Sequence, residues 1–180
     1  MSHPPAFGLP PVFPEKMHTL VLGSLPGIAS MRQVQYYAHP RNAFWTIMAT
    51  TFGWPTDLGY EERLQRTTAC GIGLWDVIEQ ARRSGSLDSA IASTGLQANP
   101  LAAVIADRSD LTLLCFNGKK AFEVFRHRVL PDIDPERWSQ LTVFVLPSTS
   151  PAHAALSWQQ KAQQWQQALL SNRGADADES

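Results

Sequence analysis

Four short apolar runs constrain what this chain can fold into. They are His18–Leu22, Gly71–Ile78, Leu111–Phe116 and Leu141–Leu146, and most of their apolar residues are consecutive rather than alternating. A strand that is apolar on both sides is buried on both sides. Sheets of such strands are parallel and carry helices on each face. The segments between the runs supply those helices. Asn42 to Phe52 places Phe44, Trp45, Met48 and Phe52 on one face at helical spacing. Tyr60–Thr68 is amphipathic, and Pro100–Ala106 reads as a helical turn or two. Lys119–Val129 is bounded by Asn117-Gly118 and Pro131, and Ala154 to Leu170 carries Leu156, Trp165 and Leu169 as its stripe. Ser84–Gln97 is polar, a loop with a short helix. The expected fold is α/β, a three-layer α/β/α sandwich with a central four-stranded parallel sheet. Residues 18–173 form its body. A proline-rich arm, 1–17, precedes it, packed on the surface or disordered, and an acidic tail, 174–180, follows.

Composition narrows the function classes. At 180 residues and 44% hydrophobic content, the chain suits one domain with a sizeable core. Its apolar runs reach only about six residues, too short to span a bilayer as a helix. The N-terminus lacks the basic region of a signal peptide. Two cysteines, Cys70 and Cys115, cannot form a four-cysteine metal site, and they read as buried thiols of a reducing, cytoplasmic compartment. The net charge of −1 argues against a uniformly basic surface. The charge is uneven, however. Residues 24–45 carry Arg32 and Arg41 and no acid, and residues 146–173 carry Lys161 and Arg173 and no acid. Residues 117–128 carry Lys119, Lys120, Arg126 and Arg128 against Glu123 alone. These segments form a modest positive face if the fold brings them together, and are ordinary helix-surface scatter otherwise.

In open parallel sheets, ligands bind beyond the carboxyl ends of the strands. Those ends carry Gly23-Ser24-Leu25-Pro26-Gly27, Trp75-Asp76, Asn117-Gly118 and Pro147-Ser148-Thr149-Ser150-Pro151. The first is a strand-to-helix turn whose glycines let backbone N–H groups approach a ligand oxygen, and it reads equally as a tight structural turn. It lacks the Gly-Lys-Ser/Thr ending of a phosphate-binding loop and the spacing of a dinucleotide site. Tyr36-Tyr37-Ala38-His39-Pro40-Arg41-Asn42 is denser. An aromatic there can stack on a base, Arg41 can meet a phosphate, and Asn42 can cap the helix that follows. The Ser148–His153 stretch offers hydroxyl and backbone donors to an anion. A serine hydrolase would draw on Ser148 or Ser150 with His153 and Asp76, but the chain has no Gly-x-Ser-x-Gly elbow. A metal site at His39 and His153 lacks a third ligand.

Taken in order, Gly23–Gly27, Tyr37–Trp45, Phe116–Phe122 and Pro147–Ala152 resemble the motifs of the uracil-DNA glycosylase superfamily. The likeness is strongest to its hypoxanthine (deoxyinosine)-DNA glycosylases and its mismatch-specific uracil/thymine glycosylases. It spans about residues 18–170, and the stretch from Gly71 to Ile91 is most like the hypoxanthine branch. Most of the superfamily carries an Asp or Asn just before the proline of the first motif, where it positions the attacking water. Here that position is Leu25. In the hypoxanthine branch the asparagine before Ala-Phe-Trp, here Asn42, carries the catalytic role. The His or Asn that many relatives place before Pro-Ser is Leu146 here.

The resemblance implies a monofunctional DNA glycosylase of base excision repair. Its substrate would be DNA containing deaminated bases, hypoxanthine first and uracil or xanthine as alternatives. Asn42 would hold the water. Gly23, Ser24, Tyr37 and Asn117 would bind the base, Tyr37 by stacking. Arg41, Lys119, Ser148, Ser150 and His153 would contact DNA, His153 as a wedge. No lysine stands at a motif position as a Schiff-base nucleophile, and no metal or organic cofactor is required. A monomer is expected, with no membrane association. A damaged-DNA binder that lost its chemistry with Leu25 is a second reading, and a serine esterase a third.

Overall fold

The structure, a computed structural model of the chain, describes residues 5–172. In chain order its elements are β1 (Pro5–Phe7), β2 (Thr19–Gly23), α1 (Ile28–Gln33), α2 (Phe44–Phe52), α3 (Tyr60–Ala69), β3 (Ile72–Asp76) and β4 (Ile78–Arg82). There follow β5 (Gln97–Ala98), α4 (Leu101–Asp107), β6 (Leu113–Asn117), α5 (Lys119–Arg128), α6 (Pro135–Ser139), β7 (Thr142–Leu146) and α7 (Trp158–Leu170).

The four apolar runs form one parallel sheet in the order β3-β2-β6-β7. Successive side chains enter two cores, as the pleat requires. Leu20, Leu22, Leu114 and Phe116 pack on one side with Leu101, Ile105 and Phe125. Val21, Leu74, Leu113 and Cys115 pack on the other with Phe44, Ile47, Met48 and Trp165. Each fully buried side chain of this size contributes about 1.5–3 kcal/mol relative to leaving it in water. The expected three-layer α/β sandwich is the observed one. The chain runs from β2 to β3 on one side, then crosses to β6 on the other. The sheet therefore changes direction between β2 and β6, the place where parallel sheets open a crevice.

Several expectations need correction. The run Gly71–Ile78 is two strands, with Val77 outside both: β3 stays in the parallel sheet, and β4 pairs antiparallel with β1 and β5 in a second, three-stranded sheet. Residues 5–12 are part of this architecture. Pro5–Phe7 pairs with Gln80–Arg82, Val12 bridges to Leu74, and the Tyr36 hydroxyl donates to the carbonyl of Pro10 at 2.8 Å. The last helix begins at Trp158 rather than Ala154. Ser157 caps it, its hydroxyl accepting from Gln160 N–H while the Gln160 side chain accepts from Ser157 N–H. Cys115 is buried, which pushes its thiol up to about 12, but Cys70 is only half-buried at the end of α3. Residues 1–4 and the tail 174–180 lie outside the described residues. Among the described residues no helix is long and apolar enough to cross a membrane.

Candidate active site

The carboxyl ends of the parallel strands surround a cavity of about 930 Å³. All four turns singled out from the sequence line it, and so do Tyr37, Asn42 and His153. The acid-poor segments converge there, bringing Arg41, Lys119 and Lys120 to the same cavity. Lys161 does not join them. It is buried and donates to the carbonyls of Ser150 (3.3 Å) and His153 (2.7 Å), so its charge ties down a loop instead of facing a ligand.

That loop, Pro147–Pro151, is anchored from four directions. Trp165 Nε1 donates to Pro147 O at 2.9 Å, and Ala43 N–H donates to Thr149 O at 3.0 Å. Asn117 Nδ2 donates to Thr149 Oγ1 and Asn117 Oδ1 accepts from Thr149 N–H, both at 2.9 Å. Asn117 thus lines the cavity with its amide already engaged once at each end. Each end keeps one further hydrogen-bonding position. Ser148 Oγ accepts from Ser150 N–H and Ser150 Oγ from Ala152 N–H, each at 3.2 Å, leaving both O–H donors for a ligand. Neither hydroxyl is hydrogen-bonded to His153, and Asp76 lies apart against Gly23. Among the described residues no serine-hydrolase triad is assembled.

Among the described residues Tyr37 is one of two non-glycine residues with positive φ, at 56°, a conformation few side chains adopt without support. Its ring packs on Phe44 with centroids 4.0 Å apart and meets Trp45 edge-on. Trp45 Nε1 in turn donates to Tyr36 O at 2.9 Å, which fixes the backbone just before the strained residue. An aromatic wall held from behind in this way is preorganised for a planar ligand. Asn42 is half-buried. Its Oδ1 accepts from Phe44 N–H at 2.9 Å, and its own N–H donates to His39 O at 2.8 Å. Ala43 holds the N-cap position, yet the Asn42 side chain supplies the capping bond while it lines the cavity. One lone pair of that amide oxygen remains for a ligand or water. Leu25 belongs to the core beside α4 and α5.

Asp76, Asp88 and Arg83 were missed or undervalued in the sequence. Asp76, at the end of β3, is only 4% exposed, and its Oδ2 has no hydrogen-bond partner among the described residues. Burial pushes its carboxyl up to about 7, against the pull of the Leu9 N–H and the Arg83 guanidinium. Gly23 stands beside it because any Cβ there would lie 2.6 Å from Asp76 Oδ1. The sealed Tyr37 hydroxyl has no partner in hydrogen-bonding geometry among the described residues, and its ionisation is pushed upward by burial and then by Asp76, against the pull of the nearby Asn117 side chain. Asp88 lines the cavity and accepts the Ser24 hydroxyl at 2.6 Å, so Ser24 meets a carboxylate before it meets a ligand. Arg83 is buried behind the Gly23–Gly27 turn and donates to the carbonyls of Leu25 and Pro26. A lone acid ending an apolar run is a readable sign of a buried polar group. Arg83 gives no such sign, since adjacent arginines in a polar stretch read as surface.

The sequence profile of the uracil DNA glycosylase superfamily matches residues 10–172. Two proteins named hypoxanthine DNA glycosylase are similar to this chain, each over 117 residues, 64% of this chain and 73% of the relative. The one from Methanosarcina barkeri is 38% identical and the one from Methanosarcina acetivorans 39%. The solution NMR structure of a proposed uracil DNA glycosylase from Methanosarcina acetivorans superposes with a TM-score of 0.76 at 33% identity, covering 92% of this chain and 97% of that one.

Proposed function

The chain belongs to the uracil DNA glycosylase superfamily, and from that premise we propose that it hydrolyses the N-glycosidic bond of hypoxanthine in DNA, as a monofunctional enzyme of base excision repair. The observation that carries this reading is the single cavity that collects the aromatic wall of Tyr37, the amide of Asn42, a glycine turn rich in backbone donors and the basic residues at one rim. Chemistry on a base in duplex DNA requires the base to leave the stack, at a cost of a few kcal/mol that falls for mispaired or deaminated bases. The extruded base stacks on Tyr37. N–H groups of the Gly23–Gly27 turn meet its exocyclic oxygen. Asn42 holds a water beneath C1′ with the free lone pair of its amide oxygen. An amide is too weak a base to deprotonate water early, so the glycosidic bond breaks first. The base leaves with the bonding pair as an anion, the water captures the oxocarbenium-like sugar at C1′, and the proton the water loses neutralises the departed base. Ser148, Ser150, Arg41 and Lys119 hold phosphates, and His153 presses toward the vacated stack.

Single-turnover excision on labelled duplexes carrying deoxyinosine, deoxyuridine or deoxyxanthosine, with hot alkali to reveal abasic sites, tests the reading. Fast release at deoxyinosine is expected. Preferential release at deoxyuridine replaces the base assignment, and release from none of the three overturns the reading.

Two variants report on separate parts of the site. Replacing Tyr37 by Ala removes a stacking contact worth about 1–3 kcal/mol, so half-saturation with deoxyinosine duplex shifts upward by roughly 5- to 150-fold. An unshifted value would remove Tyr37 from the base pocket. Replacing Ser148 by Ala weakens binding to all duplex sequences alike, because phosphate contacts carry no sequence information. Titrations that lose affinity in only one base context would exclude a phosphate role.

A further inference from the structure

Four carbonyls of the turn Gly23–Gly27, those of Gly23, Ser24, Leu25 and Pro26, are clamped from one side, while Gly27 O accepts from Met31 N–H of α1 at 3.0 Å. Gly23 O accepts from Val77 N–H at 2.8 Å and Ser24 O from Ile78 N–H at 3.0 Å. Leu25 O accepts from Arg83 Nη1 at 3.3 Å, and Pro26 O accepts from Arg83 Nη2. No peptide bond among the described residues is cis. In a trans peptide the N–H points opposite to the C=O. With the carbonyls drawn toward β3, β4 and Arg83, the N–H groups of Ser24, Leu25 and Gly27 leave the turn on the other side. Because β2 lies between β3 and β6, the far side at the strand end is the crevice between β2 and β6. No hydrogen bond among the described residues takes any of these three N–H groups. Pro26 has no N–H to add.

The next segment reinforces the clamp. Ser86 Oγ accepts from Ile28 N–H at 3.0 Å, and Asp88 Oδ1 accepts from the Ser24 hydroxyl at 2.6 Å. Arg83 is 5% exposed, its Nε has no hydrogen-bond partner among the described residues, and Asp88 and Asp76 are the acids that act on it. A guanidinium suits this place because its planar fork spans two carbonyls at once, where an ammonium is a point donor.

We propose that Arg83 is a positioning residue for base release: by holding the carbonyls of Leu25 and Pro26 it turns the N–H groups of Ser24, Leu25 and Gly27 into a fixed cradle for the negative charge that develops on the departing base's exocyclic oxygen. The inference rests on the glycosylase reading and adds to it the side chain that builds the cradle. Fixed donors aimed at a developing charge stabilise a transition state without reorganising as it forms. If Arg83 is lost, two carbonyls lose their partners and the Leu25–Gly27 peptides are free to rotate, which disperses the donors.

The test is single-turnover excision of hypoxanthine by wild type, Arg83→Met and Arg83→Lys, with rate constant and amplitude read separately. Thermal midpoints and affinity for a duplex carrying an abasic-site analogue are measured alongside. A merely structural role lowers the folded fraction and therefore the amplitude. A positioning role lowers the rate constant at full amplitude and leaves abasic-duplex affinity within about twofold. For Arg83→Met the expected loss in rate constant is about 10²-fold, the effect of removing an oxyanion donor. For Arg83→Lys, which keeps the charge but holds only one carbonyl well, it is about tenfold. If Arg83→Met does not fold at the assay temperature, Arg83→Lys decides. An active wild type with unchanged rate constants in the folded variants overturns the proposal alone. A wild type that releases no base overturns the glycosylase reading and the proposal with it.

Discussion

Replacing Asn42 by Ala is expected to lower the single-turnover excision rate on the order of 10³-fold while duplex affinity stays within a few-fold. The Asn42 amide would do two jobs. The bond from Phe44 N–H to Asn42 Oδ1 caps α2, and losing such a cap costs about 1 kcal/mol of stability. That penalty leaves a folded protein, because α2 is held mainly by Phe44, Ile47 and Met48 in the core. The rate loss has a different source. With no Asp or Asn at position 25, the oxygen of Asn42 is the acceptor proposed to keep a water in line with C1′. Without it, the oxocarbenium-like sugar must wait for an unoriented one. Asn42→Asp retains an acceptor toward both Phe44 N–H and the cavity, so it should keep the cap and part of the rate. If Asn42→Ala excises at the wild-type rate, the water belongs to another residue.

The second large effect concerns stability and pH. Asp76 has an ordinary carboxyl pKa near 3.8 when unfolded and one of about 7 in the fold, so between these values the folded chain holds a proton that the unfolded chain has released. Stability from this group is therefore fully present below about 3.8, falls as pH rises toward about 7, and is level above that. The sign is opposite to that of a salt-bridged carboxylate. The groups facing Asp76 are the Leu9 N–H of the N-terminal segment, Arg83 at the end of β4, Asp88 beyond it, and Tyr36 and Tyr37. Wild type should lose roughly 3 kcal/mol between pH 5 and pH 8 through this residue. Asp76→Asn, which cannot ionise, should remove that share of the slope and be the more stable protein at pH 8. Urea unfolding of both proteins at the two pH values measures the difference. Parallel slopes would mean that the carboxyl is not held neutral in the fold.

The parallel sheet was legible because its strands are buried on both faces, a condition that writes continuous apolar runs into the chain. The second sheet was not. Ile78-Glu79-Gln80-Ala81-Arg82 has the composition of a surface segment, and it is a strand because Pro5–Phe7 and Gln97–Ala98 arrive to pair with it. The short helix α6 was not among the expected elements, and Asp134 caps it by accepting from Arg137 N–H. Within the site, Gly23, Tyr37, Asn42 and Asn117 stand together at the cavity because strand ends and turns are local features. Two further facts depend on partners far away in sequence. Asn117 spends half its amide on Thr149, and Ser24 spends its hydroxyl on Asp88. Arg83 was invisible for the same reason: its role comes from the carbonyls it meets, not from its neighbours in the chain.

The fourfold anchoring of Pro147–Pro151 by Trp165, Ala43, Asn117 and Lys161 carries a kinetic consequence. A loop already ordered by folding has little left to rearrange when a helix of nucleic acid arrives, so the slow distortion falls on the duplex. Turnover on the proposed substrate should then follow how readily each lesion breathes out of its pair. The same lesion opposite a weakly pairing partner, or flanked by A·T steps, would be processed faster than one embedded in G·C steps, with no change in any protein contact.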